Sequence, residues 1–113
     1  QVTLSARLWT HGYDIYHPHV PAMYHYWKRT GRPTHGKDHG LEAMERNKRS
    51  FARVRHLLRT ERTKDPAVLE EIKQYGLGSV RTLQQYEAFA GVRFASRFMS
   101  KAAQEGIFPA GDA

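Results

Sequence analysis

The stretch from Leu8 to Arg29, LWTHGYDIYHPHVPAMYHYWKR, gathers four of the chain's seven histidines, four of its six tyrosines and both tryptophans. Imidazoles, phenols and a carboxylate (Asp14) are the groups that ligate divalent metals and hydrogen-bond to sugars and phosphates. A core does not need them at this density, because each ring carries a polar edge that must find a partner once buried. The segment reads as a binding site, with His11, Asp14, His17, His19 and His25 as its chemical candidates. Metal ligands converge at about 2 Å, and histidine with carboxylate suits Mn, Zn or Fe. The spacing of these four histidines matches no self-contained zinc motif, and the chain has no cysteine. A metal bound here would take one or two ligands from this segment and the rest from elsewhere in the protein. The plain alternative for any one of these histidines is a hydrogen-bonding surface or core residue.

Other chemistries find less support. Gly76-Leu77-Gly78 is too short for a phosphate loop, and a helix end followed by a turn explains it better. Arg81 precedes a capping residue at a helix N-terminus, where an anionic group could sit; a surface arginine is the simpler account. Ser50, Ser79, Ser96 and Ser100 have no local partners that would make a nucleophile. Between Lys28 and Lys64 twelve Lys and Arg face four acids, whereas the rest of the +7 chain is close to balanced. Such a block can meet phosphate or nucleic acid, or simply be a solvated face. The basic residues Arg46, Arg49, Arg53 and Arg55 lack interleaved aromatics, which argues against nucleic acid.

The elements that must hold the site fall into three regions. Residues 2–28 read as a β element with a site loop: Val2, Leu4, Ala6 and Leu8 alternate with Thr3, Ser5, Arg7 and Trp9, and residues 22–27 suit a second strand. Residues 29–40, rich in glycine, read as an exposed linker. Residues 41–104 read as a helical half. Met44, Phe51, Val54, Leu57 and Leu58 share one face of a first helix. Asp65-Pro66 opens a second with the stripe Val68, Leu69, Ile72 and Tyr75, ended by Gly76. Thr82 and Gln85 form a capping box for a third, with Leu83, Tyr86, Phe89 and Ala90 inward and Gly91 as its end. Residues 94–104 have the composition for a further helix. The fold class expected is α/β, a short β element followed by three or four helices.

At 113 residues this is at most one domain or a piece of one, with material for one modest core. No run approaches the ~20 apolar residues of a membrane span, and no signal peptide is visible. The chain opens on Gln1 rather than Met, so an upstream N-terminus is expected. The lack of cysteine favours a reducing compartment.

Three blocks together resemble one family: RLWTHGYDIYHPHVPAMYHYWKR (7–29), ERNKRSFARVRHLL (45–58) and YGLGSVRTLQQYEAFAGVRF (75–94). They are similar to the C-terminal part of the polypeptide N-acetylglucosaminyltransferases that modify hydroxyproline or threonine. The resemblance implies a partial GT-A-like domain and a retaining transferase that moves GlcNAc from UDP-GlcNAc to a protein hydroxyl, with a divalent cation, Mn, as cofactor. It implies His11 as a metal ligand, Asp14 as a catalytic residue that orients it or lines the sugar pocket, and Tyr13, His25 and Arg81 as substrate-binding residues. Its known members include cytoplasmic enzymes, so a cytoplasmic setting is expected. No D-x-D or D-x-H occurs anywhere in the chain. The donor-binding half is therefore expected to lie outside it, and the chain alone to be inactive. The alternative from another class is a basic nucleic-acid-binding or scaffolding module.

Overall fold

A computed structural model describes residues 2–16, 18–25, 31 and 35–107, with the backbone alone for 35–39. Its regular structure is mostly helical: α1 (Val2–Thr10), α2 (His35–Leu57), α3 (Pro66–Leu69), α4 (Ile72–Tyr75) and α5 (Leu83–Ala90). A two-stranded antiparallel hairpin of β1 (Val92–Arg93) and β2 (Phe98–Met99) follows, then α6 (Lys101–Gln104). The hairpin pairs Val92 with Met99 and Arg93 with Phe98.

The β element expected over 2–28 is replaced at its start by α1, so the fold class is mainly α with one hairpin rather than α/β. Alternation in eight residues did not decide the matter, because Leu, Ala and Arg are good helix formers and Ala6, Trp9 and Thr10 share one helical face. That face is the one that packs, with Ala6 and Thr10 fully buried. The helix closes in a Schellman motif: Gly12 N–H donates to Trp9 O (3.0 Å) and Tyr13 N–H to Leu8 O (3.1 Å), with Gly12 at φ +96°. Residues 21–25 take no regular structure, and Tyr26 and Trp27 of the expected second strand lie outside the described residues.

Two further boundaries move. Helix begins at His35, inside the expected linker, but Gly40 (φ 49°, ψ −124°) interrupts it, so the regular helix runs from Leu41 as its periodicity implies. The expected helix from Pro66 to Tyr75 is two single turns, α3 and α4, separated by Glu71 in the left-handed region at φ 60°. Its start stands as expected: the Asp65 carboxylate accepts from Ala67 N–H at 3.0 Å. The tail 94–104 supplies β2 and one helical turn in place of a longer helix.

The strongest local expectation is α5. Thr82 Oγ1 accepts from Gln85 N–H (3.1 Å) while Gln85 Oε1 accepts from Thr82 N–H (2.8 Å), and Gly91 closes the helix at φ 66°. Its inward side chains Leu83 and Tyr86 meet Ala6 of α1 and Leu58 in the core. Burial raises the Tyr86 phenol above its ordinary value of 10.0, and its hydrogen bond with Ser5 acts in the opposite direction. The folded state holds that phenol neutral more firmly than the unfolded chain does. The contribution is thus intact below the unfolded value and is lost as pH rises past it. Urea unfolding is expected to show wild type losing stability above pH 10.0 more steeply than Tyr86→Phe; parallel slopes would mean that the phenol is equally solvated in both states.

The core is small for the chain. Accessible surface is 9798 Å², against about 6,400 Å² for a closed monomer of this mass. The radius of gyration is 16.9 Å, against about 13 Å for a compact domain of this length. Leu41, Met44 and Phe51 on α2 and Leu4 and Leu8 on α1 are all exposed.

Candidate functional site

Where α1 ends, the chain turns through the Schellman cap and sets His11, Tyr13 and Asp14 in a row. The His11 ring lies back along the helix, its Nδ1 2.8 Å from Arg7 O. A carbonyl can only accept, so Nδ1 carries a proton, and in the neutral ring Nε2 is the nitrogen left with a lone pair. The ring is exposed, so that lone pair is open to an approaching group.

A second segment, 76–82, is laid against this turn. Gly78 N–H donates to Thr10 Oγ1 (2.9 Å), and Val80 and Arg81 N–H both donate to Thr10 O (3.0 and 3.1 Å). The approach is of backbone to backbone: a Cβ on Gly78 would fall 2.5 Å from His11 N and from Thr10 C. On Gly12 it would fall 3.2 Å from Val80 Cγ1. The glycine of the THG triplet thus closes a helix and admits a neighbour.

Arg81 completes the junction. Its guanidinium donates to Asp14 Oδ1 (2.7 Å) and Tyr13 O (3.3 Å) and lies 4.7 Å from the centre of the Trp9 ring. Trp9 in turn stacks on Phe89 at 5.6 Å and meets Tyr86 edge-on at 5.9 Å. With Arg81 about a quarter exposed and Asp14 more than half, the ion pair alone contributes less than about 1 kcal/mol. Its value is geometric, since the rigid fork fixes the Asp14 carboxylate relative to an aromatic floor.

The structure therefore brings Tyr13, Asp14 and Arg81 into one cluster, with His11 beside it on the same turn. Asp14 reaches Arg81, and the ring proton of His11 goes to a carbonyl instead. Arg81 is engaged by the Asp14 carboxylate, Tyr13 O and the Trp9 ring. His25 is exposed on the irregular stretch beyond, and His17 lies outside the described residues. Among the described residues no three His, Asp or Glu side chains converge to hold a metal ion. His11 could give a metal a single nitrogen ligand, and any metal bound there would take its other ligands from outside the described residues. Thr10 joins the site without any motif to mark it, and Gly78 does so as a point of backbone contact rather than as the turn expected of Gly76-Leu77-Gly78. The visible signal was the second glycine of Gly76-Leu77-Gly78, since a glycine with no turn to make often marks close backbone approach.

Four basic residues of the block have partners. Arg46 pairs with Glu42 (3.9 Å), Lys48 with Glu45 (2.8 Å) and Arg55 with Glu61 (2.8 Å). Arg53 donates to Val68 O (2.7 Å) and Ala67 O (3.4 Å), holding α3 to α2. No helix among the described residues is long and apolar enough to cross a membrane.

A family model described as glycosyltransferase (GlcNAc) matches residues 1–96. That span holds the whole THGYD turn and the loop docked on it. The chain belongs to the glycosyltransferase (GlcNAc) family. Neither the curated proteins nor the solved structures include a match.

Proposed function

We propose that this chain forms part of the active centre of a metal-dependent, retaining transferase that moves GlcNAc from UDP-GlcNAc to a protein hydroxyl. The observation that carries the reading is the His11 ring. Metal-binding histidines characteristically donate their second ring nitrogen to a carbonyl or carboxylate, which fixes the tautomer and aims the free lone pair. Arg7 O does this for His11 at 2.8 Å. A divalent cation, with Mn the first choice, would supply charge against the departing diphosphate at such a centre. His11 Nε2 would provide one ligand. Asp14, oriented by Arg81, would line the sugar pocket beside Tyr13, and His25 on the following stretch would extend the wall.

The excess surface supports a second part of the reading, that this chain is one layer of a larger catalytic domain whose donor-binding half supplies the remaining ligands. The absence of cysteine is consistent with a reducing, cytoplasmic setting.

The test uses the complete transferase polypeptide with UDP-GlcNAc. Chelation with EDTA is expected to stop turnover and added Mn to restore it. The sugar delivered to the acceptor is expected to be α-linked, as in the donor. Undiminished turnover in EDTA would remove the metal from the mechanism, and a β-linked product would remove retention.

A further inference from the structure

We infer that Thr10 is the positioning residue for His11, acting through its hydroxyl rather than its bulk; this rests on the proposed role of His11. Thr10 is fully buried and is the largest side chain to be so among the described residues. Its Oγ1 lies 2.8 Å from Ala6 O, 2.9 Å from Arg7 O and 2.9 Å from Gly78 N. A hydroxyl has one proton to give and lone pairs to receive. The proton goes back to the helix carbonyls and a lone pair takes the Gly78 N–H, so the group is satisfied on both sides.

Arg7 O is the shared element. It accepts from the His11 backbone N–H (3.1 Å), faces the His11 Nδ1 (2.8 Å) and lies within reach of the Thr10 hydroxyl (2.9 Å). A carbonyl has two lone pairs, so these three donors compete. Capture of Gly78 N–H fixes where Thr10 Oγ1 sits and therefore how its proton divides between Ala6 O and Arg7 O. The hydroxyl so fixed ties the docked loop to the last turn of α1, whose Arg7 O receives the His11 ring. One residue thus joins the docked loop to the orientation of the imidazole. Thr10→Val keeps the shape but removes the hydroxyl and leaves the part-buried Gly78 N–H without its acceptor, so the docked loop loses its side-chain hold on the helix end where Arg7 O meets the His11 ring. Thr10→Ser keeps the hydroxyl and loses only a methyl group.

Two measurements test this. In the metal-free complete polypeptide at pH 8, ¹⁵N NMR of the His11 ring is expected to report the Nδ1–H tautomer in wild type and Thr10→Ser, and a changed ring signature in Thr10→Val. In turnover, Thr10→Val is expected to need about tenfold more Mn for half-activation, the lower end of what lost outer-shell partners cost, with Thr10→Ser near wild type. A wild-type ring found as Nε2–H overturns the inference without any variant. So does Thr10→Val that melts early but keeps the wild-type ring signature and Mn requirement, which would make the hydroxyl merely structural. If instead His11→Ala leaves the Mn requirement unchanged, the proposed role of His11 fails first.

Discussion

Gly78→Ala is expected to lose about 3 kcal/mol or more of stability, because it forces apart two backbones and leaves buried donors unpaired. The added methyl group would meet Thr10 C and His11 N at 2.5 Å, and neither atom can swing away as a side-chain tip can. Relief requires loop 76–82 to withdraw. That breaks the Gly78 bond to Thr10 Oγ1 and strains those from Val80 and Arg81 to Thr10 O. In a chain of this size 1 kcal/mol shifts Tm by several degrees, so a fall of about 10 °C or more is expected. The adjacent, exposed Ser79→Ala serves as the control and should melt with wild type. A Gly78→Ala protein melting within about 2 °C of wild type would mean that the two backbones are not in contact.

His11→Ala is expected to act on chemistry far more than on stability. Losing the bond from Nδ1 to Arg7 O costs about 1 kcal/mol, a small shift in Tm. Loss of a metal ligand must exceed the 10- to 100-fold cost of losing a ligand's outer partner, so metal-dependent turnover should fall by more than about 100-fold. His19→Ala, on the exposed irregular stretch, should change turnover by less than about twofold. UDP-GlcNAc hydrolysis by the complete polypeptide across a range of Mn concentrations separates the two. Equal activity in both variants would remove His11 from the site, and a large fall in Tm with unaltered Mn dependence would make it a helix-end residue only.

What could be read from the chain was what is local. Asp65-Pro66, the Thr82 and Gln85 pair and Gly91 act within a few residues, so their side chains announce the helix ends they make. Residues 2–10 misled because alternation over eight residues fits a helix as well as a strand when only Ala6, Trp9 and Thr10 are needed on the packed face. Glu71 gave no warning, since nothing in Val68, Leu69, Ile72 and Tyr75 shows that the stripe is divided by a left-handed residue. Tyr13, Asp14 and Arg81 were each singled out, but no spacing rule could pair Asp14 with Arg81 across 67 positions. Thr10 carries no signal of its own in the sequence, because the loop that covers it lies 68 residues away.

The same separation has a kinetic meaning. Thr10 and Gly78 are 68 residues apart in the chain, and closing a loop of that length costs entropy before any contact repays it. Helices α2 and α5 can form from neighbouring residues on a much shorter timescale than a contact of such high order. Docking of loop 76–82 onto the turn that bears His11 is therefore expected to follow formation of the helices. A chain that shows full helical content need not yet have a site, and recovery of transfer after dilution from denaturant would trail recovery of helix.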